Sequence, residues 1–541
     1  MKRFKNIFPL ILLAMSFMGC YDDKGNYDYI DLNTIKIQET EYDYAPSIGD
    51  TLRIEPQLVY KYGDTANMRV TYSWTLDDRL ISTDRNLSWV VDTACESYLK
   101  FWIYDEEHDV TYMKDYHVKI TTPYVQPGWY VLAERNGESV LTYIREIEEK
   151  DPDDAGKNVY KNKIYKDLYR HVNHTSLGSK PIRMVQHFAR RTEANGSLLV
   201  LQDGADGVDI NGTTFTKEIN LQQTFLDHTY PADFRAVDAH FMSWTDLIRN
   251  YDGKLYSRQK LTYSLFHSGY FISKPLEYEK EEIRGDIIMS VFREPKFCLI
   301  YDKGVENNKK RFLVVYDMDG KNGIEYAKGK VGALPEPVGG WPDHFAPLTG
   351  LGDKELVYAG YHRSDSWTGL GYFLLLKDTK TGEYTGQQFY IERDYNTTAM
   401  MYSKDVNEKD RLYVYPMPGG FNYEDCVIYT IPWENNPYVM VARGQTLYLF
   451  NRENPQDGLA RYYEFEADVI GMSAEIGEGE HLGVALSNGQ VVILNINDGK
   501  NLAPRPDPEK LIWRTDLQKD NLGNIKMIRY RSSDFSDWGL G

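Results

Sequence analysis

The sequence predicts an all-β chain in which a β-sandwich near the N-terminus is followed by a β-propeller of about seven or eight blades. Three observations carry this reading. Aromatic residues make up 14% of the 541 residues, including 43 tyrosines, and aromatic side chains favour pleated, half-buried surfaces. Short runs alternate apolar and polar residues with period two and stop at Gly, Asp or Asn, the signature of half-buried strands and hairpins. After residue 127 a Gly-containing turn followed by two strands recurs at a spacing of about fifty residues, within the range of propeller blades.

The N-terminus reads as an export signal. Lys2, Arg3 and Lys5 precede an apolar run from Ile7 to Met18. That run is shorter than the roughly twenty residues a membrane-spanning helix needs, and it suits a secretory signal over residues 1–19. Gly19-Cys20 directly behind it resembles the lipobox of bacterial lipoproteins, although Phe17 and Met18 are bulkier than the usual box. The resemblance implies acylation of Cys20, which becomes the new N-terminus. Tyr21-Asp22-Asp23-Lys24 resembles the acidic export signal of surface-exposed Bacteroidetes lipoproteins, with Asp22 and Asp23 as its acids. Together these imply a lipid-anchored outer-membrane protein facing the cell exterior, with residues 20–30 as a tether. The alternatives are an ordinary secretory peptide with an incidental cysteine, and a linker without an address. No later segment holds eighteen consecutive apolar residues, so the lipid is the expected membrane attachment.

Residues 31–122 carry strands in close succession. Thr51 to Pro56, Val70 to Leu76, Tyr98 to Tyr104 and Tyr112 to Ile120 alternate with period two, with turns at Asp77-Asp78 and Asp105-Glu106-Glu107. This spacing reads as a β-sandwich with Trp74 at its centre. Ile48-Gly49-Asp50-Thr51-Leu52, then Tyr72-Ser73-Trp74, the Tyr98–Tyr104 run and Val118-Lys119-Ile120 resemble the PKD-like family of Bacteroidetes lipoproteins. The resemblance implies an Ig-like sandwich behind a lipid anchor, a larger C-terminal domain, and association with outer-membrane importers of the SusC/SusD type.

Pro123 to Pro127 marks a boundary, and residues 127–541 form the propeller-like region. Gly128 to Glu134 opens the series. Later runs pair as Leu356–Tyr361 with Gly371–Leu376, Arg411–Tyr415 with Cys426–Tyr429, and Gln445–Phe450 with Ala460–Phe465. Leu482–Leu486 turns through Ser487-Asn488-Gly489 into Gln490–Leu494, and Asn-Gly is a strong hairpin signal. Gly196–Leu201, Gly253–Ser257 with Tyr270–Ile272, and Arg311–Asp317 before Met318-Asp319-Gly320 complete eight candidate units. Two stacked sandwiches are the alternative architecture. Met242 to Asn250 reads as a helical insertion.

The formal net charge is −18. No basic stripe offsets it, so nucleic acid is not an expected partner. Cys95, Cys298 and Cys426 remain once Cys20 is assigned to the lipid; without CxxC spacing they read as free structural thiols. The sequence contains no HExxH, GxSxG, GxxxxGK[ST] or GxGxxG motif. A catalytic carboxylate pair is compatible with 80 acidic residues, which leaves a surface hydrolase or lyase as an alternative. Asp203, Asp206 and Asp209 have a spacing that could hold structural calcium, though ordinary Asp/Gly turns are the favoured explanation. His171 and His174 have a helical metal spacing without a third ligand nearby. Candidate ligand contacts are Trp341, His344, Tyr361, Arg363, Trp367, Trp433 and Asn435, because aromatic faces and adjacent polar groups on irregular loops suit a sugar ring or peptide. The alternative is packing between blades.

The expected function is therefore non-catalytic and needs no cofactor: capture of an oligopeptide or oligosaccharide beside a SusC-like TonB-dependent transporter and a SusD-like lipoprotein. A purely structural importer subunit is a further alternative.

Overall fold

The computed structural model describes residues 32–531 apart from 39–40, 63–68, 94, 154–157, 188–195, 243, 262–267, 289–296, 318–328, 335, 338–339, 364–368, 394–399, 402–411, 432–435, 476–480 and 497–506. Its regular structure is almost entirely β. Two units separate between Thr121 and Thr122. No helix among the described residues is long and apolar enough to cross a membrane.

The first unit is a sandwich. Its larger sheet orders Asp43–Tyr44, Val110–Ile120, Cys95–Asp105, Val70–Leu76 and Arg79–Ser82. Thr51–Ile54 pairs with Leu87–Val90, and Ile35–Ile37 with Leu58–Tyr60. Alternation along these strands sends Leu52, Ile54, Leu87, Leu99, Phe101, Ile103 and Val118 inward. Trp74 is fully buried among them, 4.5 Å from the Phe101 ring and 5.6 Å from Tyr116. Its Nε1–H donates to the Asp84 carbonyl at 3.0 Å, so the one polar atom of the indole is satisfied.

The second unit is a ring of seven sheets among the described residues. Sheets two to seven each consist of consecutive antiparallel strands, and the first strand of each lies innermost. Sheet two runs from Pro181–His187 and sheet three from Ala236–Phe241. Sheets four to seven start at Gly285–Ile288, Lys354–Arg363, Val427–Thr430 and Val469–Ala474. These inner strands neighbour one another in order. The C-terminal strand Asn524–Arg531 lies between the inner strands of sheets seven and two and pairs with Gly128–Arg135. It thereby supplies the innermost strand of sheet one. This is a seven-bladed β-propeller closed by joining the two ends of the unit.

The packing follows from the middle strands. In Gly369–Asp378, Tyr372, Leu374 and Leu376 enter the core shared with blade four, while Phe373 and Leu375 enter the core shared with blade six. In Ser197–Gln202, Leu198 and Val200 face blade one, and Leu199 and Leu201 face blade three. Seven hydrophobic clusters fill the seven seams in this way. Both faces of each middle strand are covered, so these strands read as continuous apolar runs rather than alternating ones. At the closing seam the indole of Trp129 lies on Gly483, where a Cβ would sit 2.5 Å from the ring.

Three readings of the sequence are corrected. Eight candidate units become seven blades, because the unit expected from Arg411–Tyr415 and Cys426–Tyr429 is divided between blades five and six. Tyr413–Pro416 pairs with Tyr384–Arg393 in blade five, whereas Val427–Thr430 opens blade six, so the expected hairpin between these two runs does not form. The expected helix at Met242–Asn250 is instead the strand Thr245–Asn250. Its polar residues are held inside. Asp246 is directly opposite Arg258 in register, accepts two of its N–H groups at 2.9 and 2.6 Å, and lies 3.1 Å from Lys260 Nζ. A fully buried carboxylate between two cations mimics an exposed polar position when only the sequence is read. The turn Met318-Asp319-Gly320 lies outside the described residues. Cys95, Cys298 and Cys426 are free thiols; Cys298 is buried and the other two are half-buried.

Two expectations follow. Trp74→Ala removes the centre of the sandwich core and should cost about 3–5 kcal/mol, read as a lower denaturation midpoint of the sandwich. Gly483→Val drives a side chain into Trp129 and should destabilise the propeller by about 1–3 kcal/mol; an unchanged melting temperature would show that the closing seam tolerates displacement.

Candidate functional site

Inner strands of six blades line a cavity at the centre of the ring. Its volume is about 270 Å³, and its wall includes Arg183 of blade two, Ile287 and Ile288 of blade four, Tyr358 to Tyr361 of blade five, Tyr429 and Thr430 of blade six, Met472 and Ser473 of blade seven, and Met527 to Arg529 of the closing strand. Asp238 of blade three touches the wall through Arg183, its Oδ1 lying 2.7 Å from Arg183 Nε.

The wall is set by how the inner strands satisfy their free edges. An innermost strand has no partner toward the axis, so some of its N–H groups need side-chain acceptors. The Tyr358 hydroxyl of blade five accepts from Thr430 N–H of blade six at 2.9 Å. Tyr429 of blade six accepts from Ala474 N–H of blade seven at 2.9 Å. Ser473 Oγ of blade seven accepts from Tyr530 N–H of the closing strand at 2.9 Å. Thr430 Oγ1 in turn donates to the Tyr361 carbonyl at 2.8 Å. Hydroxyls thus pass from blade to blade around part of the axis and hold the cavity's shape.

Charge is concentrated on the opposite arc. Arg529 is 8% exposed, and its Nε has no hydrogen-bond partner among the described residues. Burial, with the neighbouring Arg183 guanidinium second, pulls Arg529 down to about 10, which leaves it cationic at neutral pH. Burial pushes the Asp238 carboxyl up, against the opposing pull of Arg183. Asp286, adjoining on blade four, is held by Arg249 at 2.9 Å and Lys303 at 2.7 Å. Burial raises Tyr429 to about 12 and also raises Tyr358, so both phenols stay protonated. His240 of blade three is 5% exposed. Burial, opposed by Asp246 and reinforced by Arg529, brings it from 6.5 down to about 4.

The residues singled out from sequence are placed as follows. Tyr361 lies on the inner strand of blade five, 7% exposed, edge-on to Tyr372, and forms part of the cavity wall. Trp341 stacks on Phe345 at 5.5 Å and packs against the cluster between blades four and five, the same cluster that holds Tyr361. His344 is exposed in a turn with φ of 67°. The backbone of Arg363 pairs with Leu370. Trp367, Trp433 and Asn435, together with Cys20, Asp22 and Asp23, lie outside the described residues.

Asp203, Asp206 and Asp209 do not converge on one point. Asp203 pairs with Arg235 at 3.0 Å, Asp206 accepts the Tyr230 hydroxyl, and Asp209 is buried against His187 Nε2 at 2.7 Å. The three therefore point to separate partners, because Asp209 lies on a strand and the other two precede it in the turn. His171 lies on the short helix Leu168–Asn173, and His174 caps its end in a left-handed conformation, which breaks the helical spacing. No group of three metal-ligating side chains occurs among the described residues.

Arg183, Asp238, His240, Tyr358, Tyr429 and Arg529 were not legible as a group. Their shared feature is an inner-strand position, and that depends on which strand of each blade lies innermost.

Residues 20–181 match the family model described as the PKD-like family. No curated protein matches the chain. Among solved structures, a quinonprotein alcohol dehydrogenase-like protein from Bacteroides thetaiotaomicron is similar over 91% of this chain and 98% of its own, at 12% identity and a TM-score of 0.36. AztD from Citrobacter koseri is similar over 85% and 98%, at 8% identity and 0.35. BamB from Moraxella catarrhalis is similar over 71% and 87%, at 10% identity and 0.29. The seven-bladed assignment rests on the strand pairing within this chain and draws nothing from these likenesses.

The depressed His240 value has a definite sign. Between about 6.5 and about 4 the unfolded chain takes a proton at this residue and the folded chain does not, so folding stability falls as pH drops through that window. Thermal unfolding at pH 7 and pH 4.5 should show a loss that His240→Gln reduces by on the order of 3 kcal/mol. An equal loss in both proteins would place the acid sensitivity elsewhere.

Proposed function

We propose that this chain is a lipid-anchored, surface-exposed outer-membrane protein that captures a nutrient molecule for a SusC/SusD-type importer, without catalysis of its own. The observation that carries this reading is the PKD-like match over residues 20–181, which starts at the cysteine of the lipobox-like segment. The lipid on Cys20 holds the protein at the membrane. Asp22 and Asp23 direct it to the exterior. The sandwich is the module nearest the anchor, and the propeller presents its axial cavity to the ligand. An oligopeptide or an oligosaccharide fits the chemistry of the wall, where tyrosine faces adjoin hydrogen-bonding and charged groups. The partners are a TonB-dependent transporter and its lid lipoprotein.

Purification of the lipidated protein from its native outer membrane in mild detergent, with mass spectrometry of everything retained, tests this directly. The transporter and its lid should be recovered together with the chain. Recovery of the chain alone rules out a stable importer subunit. Cys20→Ser should abolish incorporation of labelled fatty acid and release the protein from the membrane fraction; retention of both would sink the lipoprotein assignment. Turnover of a peptide or glycan by the purified chain would instead favour a surface hydrolase or lyase.

A further inference from the structure

We propose that Arg529 and Arg183 form a carboxylate-binding site on the wall of the axial cavity, which receives the acidic end of a small ligand. Arg529 is more than nine-tenths buried, its Nε has no hydrogen-bond partner among the described residues, and Asp238, the carboxylate that attracts it, is in contact with Arg183. A buried cation that shares a single counter-charge with a second cation is unfavourable. Its retention on a cavity wall points to an anion that arrives from outside. Arg183 lines the same cavity, with its Nε 2.7 Å from Asp238. Two guanidiniums thus face one resident carboxylate. This local positive excess stands out in a chain whose formal net charge is −18.

The chemistry favours a carboxylate. A guanidinium offers planar paired N–H donors that match the two oxygens of a carboxylate, and the pairing is strongest where water is excluded. Tyr358 and Tyr429 flank the site as protonated phenols, so they add no competing negative charge. The cavity, about 270 Å³, lies just below the roughly 300–1,000 Å³ of sites that enclose a drug-sized molecule. It therefore takes the end of a ligand rather than a whole oligomer. The inference deepens the capture reading and rests on it for the source of the ligand: a peptide C-terminus and a uronic acid carry the same group.

Calorimetric titration of the full mature chain tests the site. Trialanine is compared with its C-terminal amide, and digalacturonate with its methyl ester. One of the two acids should bind, its masked form should bind at least about tenfold more weakly, and the acid that binds identifies the source. Arg529→Met should weaken binding of that acid by at least about tenfold while leaving the melting temperature unchanged or higher, because a buried charge that shares its counter-charge has been removed. If Arg529→Met does not fold, Arg183→Met at the more exposed partner should show the same loss. Binding of neither acid, or equal binding of acid and masked form, overturns the proposal. So does an Arg529→Met protein that melts lower yet binds the acid unchanged, since Arg529 would then be a structural cation. Recovery of transporter partners from the membrane does not depend on this site. Failure here therefore leaves the importer association standing, and absence of partners leaves the binding result intact.

Discussion

The propeller depends on strands that are apolar on both faces. A strand such as Gly369–Asp378 cannot bury Tyr372 and Phe373 against the same neighbour, because successive side chains point to opposite sides of a sheet. Each blade is therefore stable only between two others, and a linear row of blades would leave two apolar faces exposed. Pairing of Asn524–Arg531 with Gly128–Arg135 removes both ends at once. The cluster around Trp129, Val131, Ile493 and Ile528 then becomes one more seam of the same kind as the rest.

Closure also creates the site. Inner strands that converge on an axis turn one edge toward each other across a space too narrow for another strand. Tyr358, Tyr429 and Ser473 satisfy part of that edge by accepting backbone N–H groups from the next blade. What remains between them is a cavity lined by hydroxyls on one arc and by Arg183, which contacts Asp238, and Arg529 on the other. The same closing strand that completes the hydrophobic ring thus delivers the buried guanidinium. Other buried charges have a counter-ion or neutral acceptors. Asp246 lies between Arg258 and Lys260, and Arg452 donates to Gln388 and to the Asn436 carbonyl across the seam of blades five and six. Arg529 differs in lying on a cavity wall, where it shares Asp238 with Arg183 and its Nε has no hydrogen-bond partner among the described residues.

The sequence by itself determined the all-β class, the position of the sandwich core and most hairpins, because these are local. Period-two alternation buries Trp74 and its neighbours, and Asn488-Gly489 reverses the chain between two strands of blade seven. The export signal proposed for residues 1–19 and the acids behind Cys20 are likewise contiguous in the chain. Tertiary structure decided the remainder. Thr245–Asn250 is a strand because Arg258 and Lys260 neutralise Asp246 from outside the segment. Blade one exists because strands nearly four hundred positions apart pair, and no local pattern records such a register. The cavity residues come from separate inner strands. Their convergence follows from ring closure, which a reading of spacing along the chain has no means to detect.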